Sequence, residues 1–464
     1  MVSVIHYVGR RDLSPAVERV RDVVVVGAGI AGLATAWHLR DLDVLVLEAE
    51  ERIGGRIRSE PRGDVWLNVG AHVFGGARSA TGRLLDGAGV RAVDVPGRLA
   101  AVALGEQIVA GGRVETYPLR LPLSPRSRWA LIRAGARLRL AVRRYAAVAA
   151  ERAGEDATAR QRRMLDFLDD RSFSDFIGPL PPDVDSIFRA TLTRSSGEPE
   201  ELAAGYGIGY FHLVWNRRAG LSRNIWGGSS RLIEALAAGV GAARILTGAP
   251  VTDVVPEGEA VLVRYRRDGH EHVVRARHAV VATPAYVARE LIAELPDATA
   301  TALASVRYGP YVVGAFLTDE TEPMPWDGIY ALATPGRSFS MLLNTANVLR
   351  HAGPRSPGGS LMVYAAASAA RTLDGLTDAR VEERFRTDLC GIYPEARAVV
   401  REIVIQRWPC GLPYAAVGRA ALQPHLTRSL GRIQLAGDYL GTWYTETAAQ
   451  TAERAATAIR AALE

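Results

Sequence analysis

The sequence predicts an α/β fold, a doubly wound parallel sheet joined to a second unit of α+β type with a mixed sheet and helices. Three observations carry that prediction. The apolar run Val23–Val26 breaks into Gly27, Gly29 and Gly32, spelled G-x-G-x-x-G. A helical pattern from Ala31 to Leu39 and a second apolar run, Val44–Leu47, follow, and that run ends at acidic Glu48. At the far end of the chain, Ile433–Leu435 leads through Ala436 and Gly437 into Asp438, with a helix expected over Thr445 to Leu463.

Each piece of the first unit has a physical reason. A strand that is apolar at successive positions is buried on both faces, as in a parallel sheet. Gly27 then makes the tight turn, Gly29 lets a pyrophosphate approach the backbone, and Gly32 lets the helix pack on the sheet. The unpaired N–H groups and positive dipole end of that helix favour an anion without a basic side chain. Gly54, Gly55 and Arg56 come next. A nicotinamide dinucleotide needs no second glycine turn followed by a guanidinium, whereas a long flavin dinucleotide has to be gripped from both sides. Gly70 and Ala71, followed by His72, would let backbone approach a flat ring closely.

These residues resemble the opening of the flavin-containing amine oxidase superfamily, which also holds protoporphyrinogen oxidases and phytoene-type desaturases. The resemblance implies a Rossmann-like FAD-binding domain from residues 22–80, 225–285 and 405–464. The substrate domain would comprise 81–224 and 286–404, with an N-terminal extension over 1–21. It places Gly27, Gly29, Gly32, Glu48, Gly54, Gly55, Arg56, Gly70 and Ala71 around the cofactor, and the Val251 backbone at the adenine. At the other end Gly437, Asp438, Thr445 and Glu446 complete the set. Asp438 is placed to bond ribityl or ribose hydroxyls, and the last helix would point its N-terminus at the isoalloxazine, where reduction builds negative charge. Asn68 stands where many relatives carry aspartate, which keeps hydrogen bonding without charge. Relatives commonly read E-G-A and later S-G in the last helix, whereas here the runs are Glu446-Thr447-Ala448 and Thr451-Ala452.

Between the two ends, Leu84 to Pro122 reads as short strands and turns, and Ser124 to Arg163 as helical. The latter carries many arginines and an apolar face of Leu131, Leu138, Tyr145 and Val148. A solvated face explains the arginines, and contact with an anionic membrane surface stays open. Helices are expected at Phe173–Ile177 and Leu192–Phe211, and the aromatic, glycine-rich run Gly205–Phe211 reads as tunnel lining or core. Ala260–Arg266 and Glu271–Ala276 pair across Asp268-Gly269, and Ala279–Pro284 forms a further buried strand ending near the cofactor. Strands at Tyr311–Leu317 and Ser360–Ala366 and a helix near Asp378–Cys390 belong to the second unit.

The chain contains no lysine, since all 56 basic residues are arginine. Lysine nucleophiles and amine bases are therefore excluded. So is the lysine that amine oxidases often carry near the place of Val313 to hold a water against flavin N5. By resemblance, Tyr444 is one wall of an aromatic cage and Trp408 the opposite wall, while Arg407–Tyr414, with its W-P-x-x-L-P run, is closer to porphyrinogen oxidases and desaturases. His72 is the one histidine inside a cofactor motif and a candidate acid or base, with a structural role as the alternative. Cys410 reads as a small packing residue, so non-covalent FAD is expected. Two cysteines build neither a disulfide framework nor a cysteine-rich metal site, and no metal is expected.

The net charge of +6 is compositional, and no nucleic-acid partner is expected. No apolar stretch approaches the roughly 20 residues of a membrane span, and the N-terminus lacks the apolar core of a signal peptide. A cytoplasmic location follows as the expectation. The expected reaction is flavin-dependent dehydrogenation of a C–N bond in a largely apolar small molecule, with O2 as reoxidant. A C–C desaturase or porphyrinogen oxidase is the alternative. A non-catalytic carrier like the Rab GDP-dissociation inhibitors, which resemble this fold, is disfavoured by the intact glycines, Glu48, Arg56 and Asp438. Homodimer formation stays open.

Overall fold

The computed structural model describes residues 20–215, 221–350 and 355–464; most of the expected N-terminal extension lies outside them. Two seven-stranded sheets dominate. In the first, the parallel strands Ile245–Leu246, Val44–Leu47, Arg21–Val26 and the end of His270–Val281 lie side by side, and Ile433–Leu435 joins that end in parallel. Val23, Val24 and Val25 are wholly buried because both faces of this sheet are covered, one by helices and the other by a cluster that includes Val254, Val261 and Val263 of the antiparallel strands as well as Ala285 and Ala288. The first helix, Ile30–His38, packs against the alanine-rich C-terminal helix Tyr444–Leu463, whose Ala449, Ala452 and Ala455 bring the two backbones close.

The Asp268-Gly269 hairpin forms as expected. Both residues are left-handed, at φ 50° and 76°, the geometry of a two-residue type I′ turn. The two strands expected at Glu271–Ala276 and Ala279–Pro284 are one strand, His270–Val281, which stops before Pro284 because that residue starts helix Ala285–Leu291. Its first half is antiparallel to Ala260–Arg267 and its second half is parallel to Arg21–Val26, so a single strand carries the chain from hairpin to cofactor sheet.

The second sheet runs Val400–Tyr414, Arg307–Thr318, Gly359–Ala366, Met341–Asn344, Ala331–Ala333, Ala101–Leu104 and Gln107–Val109. It is antiparallel except where Ala331–Ala333 meets Ala101–Leu104. Val400–Tyr414 is one continuous strand that crosses the boundary expected near residue 405.

Three helical expectations are corrected. The stretch 124–163 is two helices, Pro125–Ala149 and Ala157–Asp166, the second started by the Asp156 carboxylate accepting from the Ala159 N–H. Leu192–Phe211 is not continuously helical: Ser196, left-handed at φ 67°, ends the turn after Leu192, and helix resumes over Ala204–Trp215. Ala80–Gly87, whose second half falls in the stretch from Leu84 read as strands and turns, is a helix capped by Ser79. Gly205, Gly207 and Gly209 explain the unusual spelling of Ala204–Trp215. A Cβ at each would fall 1.5 Å from the Phe167 carbonyl, 2.5 Å from the Phe173 ring and 2.6 Å from the Tyr145 ring. The missing side chains let this helix sink among those neighbours.

Candidate active site

The cradle forms at the C-terminal ends of the parallel strands, where open α/β sheets bind ligands. Gly27 turns at φ 98°, and a Cβ on Gly32 would stand 1.9 Å from the Gly27 carbonyl, so that glycine is a packing necessity. Gly29 differs, because a Cβ there would meet nothing within 4 Å. It faces open space at the start of the first helix, and no side chain caps that helix. Glu48 accepts from the Ala28 N–H at 2.6 Å and from the Glu50 N–H at 3.0 Å, which ties the second strand end to the glycine loop. The Gly54 N–H donates to the Ala28 carbonyl at 2.8 Å, joining the second glycine turn to the first.

Arg56 links the two ends of the chain. It donates to the Gly411 carbonyl and to Asp438, each at 2.9 Å. Burial works against its charge, but the Asp438 carboxylate, together with Tyr308 and Tyr286, holds its pKa above the usual arginine value. Beside it, the Ala71 N–H donates to the Arg56 carbonyl, and a Cβ on Gly70 would come within 2.3 Å of that same oxygen. Asn68 keeps a long hydrogen bond, accepting from the Ser229 N–H at 3.4 Å. Val251 opens a strand directly after Ala249, whose N–H donates to the Glu48 carbonyl, so the Val251 segment runs beside the acidic strand end.

At the other end, the Gly437 N–H donates to Thr451 Oγ1 and the Trp443 N–H to Thr447 Oγ1, both at 2.9 Å. The two threonines that depart from the expected spelling therefore hold the backbone leading into the last helix. Glu446 is occupied differently from the expectation. Both of its oxygens accept from the N-terminus of helix Ala80–Gly87, at 2.7 Å from Ala80 and 3.1 Å from Thr81, where negative charge suits the helix dipole. Thr445 Oγ1 is buried with no hydrogen-bond partner, and Trp443 caps the last helix without a side-chain bond.

Beyond this helix start lies a buried aromatic cluster. Tyr444, at a left-handed φ of 43°, accepts from the Tyr206 hydroxyl at 3.3 Å, and Trp443 stacks on Tyr206 with centroids 5.1 Å apart. A bulky residue at positive φ is strained and persists where its surroundings over-determine it. Trp408 sits opposite Tyr311 across the strand ladder, and its Nε1–H donates to the Val69 carbonyl at 2.8 Å. Burial raises the pKa values of Tyr206, Tyr210, Tyr311 and Tyr444, which keeps all four neutral. His72 Nδ1 lies 3.2 Å from the Gly70 carbonyl, and burial, aided by nearby Arg194, lowers its pKa to about 4. The ring is thus neutral at physiological pH. Val313 is buried on the central strand between Tyr364 and Gln406. Tyr206 and Tyr210 belong to the run Gly205–Phe211 that the sequence offers as tunnel lining or core, whereas nothing in the sequence marks Arg194. The i, i+4 spacing of the two tyrosines within a glycine-rich run was the available signal.

A glycine cradle closed by an uncapped helix, with an aromatic chamber past the helix start, is the arrangement of a flavin-dependent oxidoreductase. Comparison with known proteins agrees: the model for flavin containing amine oxidoreductases matches residues 30–460, and the chain belongs to that family. Cyclohexylamine oxidase from Brevibacterium oxydans IH-35A superposes with a TM-score of 0.75 at 20% identity, covering 96% of this chain and 100% of that one. Putrescine oxidase bound to putrescine gives 0.75 at 19% identity, covering 96% and 99%. These two show the shared fold. Protoporphyrinogen oxidase 2 of Arabidopsis thaliana is 44% identical over 71 residues, 15% of this chain and 14% of that protein. The probable flavin-containing monoamine oxidase A of Dictyostelium discoideum is 38% identical over 72 residues, 15% and 16%. Both curated matches thus cover only a short part of the relative's length. FAD is the cofactor, and the residues fit it: open space at Gly29, an uncapped helix for the pyrophosphate and a buried Thr445 hydroxyl awaiting a partner. Among the described residues no group of histidine, cysteine and carboxylate side chains could hold a metal ion, and no helix is long and apolar enough to cross a membrane.

Proposed function

We propose that this protein is an FAD-dependent amine oxidase that removes hydrogen from a C–N bond of a largely apolar small molecule and is reoxidised by O2. The observation that carries this reading is the chamber of Tyr206, Tyr444 and Trp443 directly at the start of the last helix, beside the cradle. Bound FAD supplies the two-electron acceptor. The chain's own residues bind, orient and exclude water. Gly29 and the first helix would take the pyrophosphate, Glu48, held by the Ala28 N–H, would bond a ribose, and Asp438, fixed by Arg56, would offer a carboxylate to the ribityl hydroxyls. The N-terminus of the last helix favours negative charge on the reduced ring.

The tyrosines and His72 are neutral and the cation beside them, Arg194, repels a second positive charge, so an amine entering the chamber is favoured as the free base. Tyr444 and Trp408 serve as the two walls that align the substrate, with Tyr311 beside Trp408. No lysine is needed for that alignment. We assign residues 22–80, 225–285 and 405–464 to the cofactor unit and 81–224 and 286–404 to the substrate unit, with 1–21 as an extension, and FAD is held without a covalent bond, Cys410 being exposed. The local likeness to a protoporphyrinogen oxidase and the absence of lysine keep C–C dehydrogenation as the second reading.

The test is peroxide release by the purified yellow protein on a panel of apolar amines, set against porphyrinogen and polyene substrates. Turnover confined to amines supports the reading. Turnover confined to the C–C substrates replaces it with the second, and a protein that takes up no FAD removes both.

A further inference from the structure

Helix Pro125–Ala149 is the arginine-rich stretch of the sequence, and neither the cradle nor the chamber uses its outer face. Its 25 residues include seven arginines and no aspartate or glutamate. The inner face is core, with Leu131, Ala134, Leu138, Val142 and Tyr145 buried. The outer face is apolar as well. Eight large apolar side chains are exposed among the described residues, and four of them lie here: Trp129, Ile132 and Leu140 on this helix and Leu119 on the short helix Tyr117–Arg120 before it. Trp129 is 72% exposed.

Trp129, Ile132, Ala136, Leu140 and Ala147 make one outward ridge, and all five are exposed. At about 100° per residue they fall within roughly 80° of arc. Arg126, Arg133 and Arg144 run along one flank, and Arg143 stands within the ridge between Leu140 and Ala147. These four arginines are exposed and make no hydrogen bond or ion pair with any described residue. The other three are spent. Arg128 donates to the Pro118 and Leu123 carbonyls, Arg137 to the Phe176 carbonyl at 2.8 Å, and Arg139 pairs with Glu115 at 3.4 Å.

We propose that this ridge is a docking surface for an acidic amphipathic helix of a partner protein. Unpaired guanidinium groups in a row repel one another, and carboxylates along one side of the partner relieve that while setting its orientation. A second copy of this chain would set arginine against arginine. A bilayer is met by a broad apolar face with the cations at its edges. This ridge instead has the width of a helix–helix seam, two of its five positions are alanine, and Arg143 interrupts it. Ala136 lets a second helix approach closely, while Trp129 and Leu140 on either side give that helix apolar anchors. Ile132 and Ala136 also line an apolar cavity of about 340 Å³, so a partner on the ridge borders that cavity.

The test titrates the flavin-loaded protein with a fluorescein-labelled peptide of about three heptads, leucine at a and d and glutamate at the flanking positions, and with a scrambled peptide of the same composition. Fluorescence anisotropy is expected to show the heptad peptide binding at least about tenfold more tightly than the scrambled one, and less tightly as salt rises. Trp129→Ala combined with Leu140→Ser should erase that preference. Arg133→Glu combined with Arg144→Glu should weaken binding about tenfold or more. Arg384→Glu, exposed on helix Asp378–Ile392, should leave both readings unchanged. Every substituted side chain is exposed, so circular dichroism and flavin content should match the parent. Equal affinity for the two peptides, or a preference that survives the Trp129 and Leu140 changes, overturns the proposal. Trp129-dependent sedimentation with phosphatidylcholine–phosphatidylglycerol vesicles, without peptide binding, replaces the partner helix with a bilayer. Trp129-dependent self-association without peptide binding replaces it with a second copy.

Discussion

The cofactor cradle and the chamber beside it are built on opposite terms. The cradle recognises its ligand with backbone: Gly29 exposes open space, Gly32 and Gly70 admit no Cβ, and the first helix offers bare N–H groups. Its decisive residues occur within short runs of sequence, because a turn and a helix start are local. The chamber recognises with side chains drawn from far apart: Tyr206 and Tyr210 from one helix, Tyr311 and Trp408 from adjacent strands, Arg194 from a turn and Tyr444 from the last helix. The cradle can therefore serve many chemistries unchanged, whereas the chamber carries the choice of substrate.

Substitutions can break this comparison, beginning with the glycines. Gly32→Ala forces a Cβ to 1.9 Å from the Gly27 carbonyl, and we expect no soluble flavin-loaded protein. Gly29→Ala meets nothing, so it should fold, with the same circular dichroism, yet lose most of its flavin absorbance because only the ligand occupied that space. If the two variants behave alike, the backbone account of the cradle is wrong.

Glu48→Ala comes next. It removes bonds at 2.6 and 3.0 Å as well as the ribose contact, and FAD affinity measured by fluorescence quenching should fall about tenfold or more. Chamber substitutions should behave in the opposite way. Tyr444→Phe loses its 3.3 Å bond to Tyr206, and Trp408→Phe loses its bond to the Val69 carbonyl. Turnover should drop by about three- to tenfold with flavin retained. Flavin loss in either would place these residues in the cradle instead.

The smallest effect is a pH dependence. His72 titrates at about 4 in the folded chain against its ordinary 6.5, so between those values the unfolded chain binds more protons and stability falls as pH falls. His38, His212 and His278, also lowered by burial, act in the same direction. The melting temperature of His72→Gln should therefore depend less steeply on pH between about 4 and 6.5 than that of the parent. Equal slopes would mean that His72 is not desolvated.

Much of the cradle was legible in the sequence. Val23–Val26, the spaced glycines, Glu48, the Asp268-Gly269 turn and the last helix all follow from local rules of burial, positive φ and helix termini. The threonines 447 and 451 were visible as departures, but their purpose appeared only when their hydroxyls met the Trp443 and Gly437 backbone. Glu446 was read toward the cofactor, yet its carboxylate holds a helix more than 360 residues earlier in the chain. The break between Ala149 and Ala157 carries its own local signals, Gly154 at φ 76° and Asp156 as the cap of the second helix, which the arginine-rich helical spacing on either side outweighs in the sequence reading.

The sequence by itself determined the family, the dinucleotide loop and the absence of any lysine chemistry, since each rests on residue identity or on neighbours a few positions apart. Only the tertiary structure decided that Arg56 meets Asp438, that Tyr444 meets Tyr206, and that the ridge from Trp129 to Ala147 stays uncovered. Those pairings span up to 382 residues. Burial and charge compensation are properties of what surrounds a side chain in space, and no local pattern along the chain encodes them.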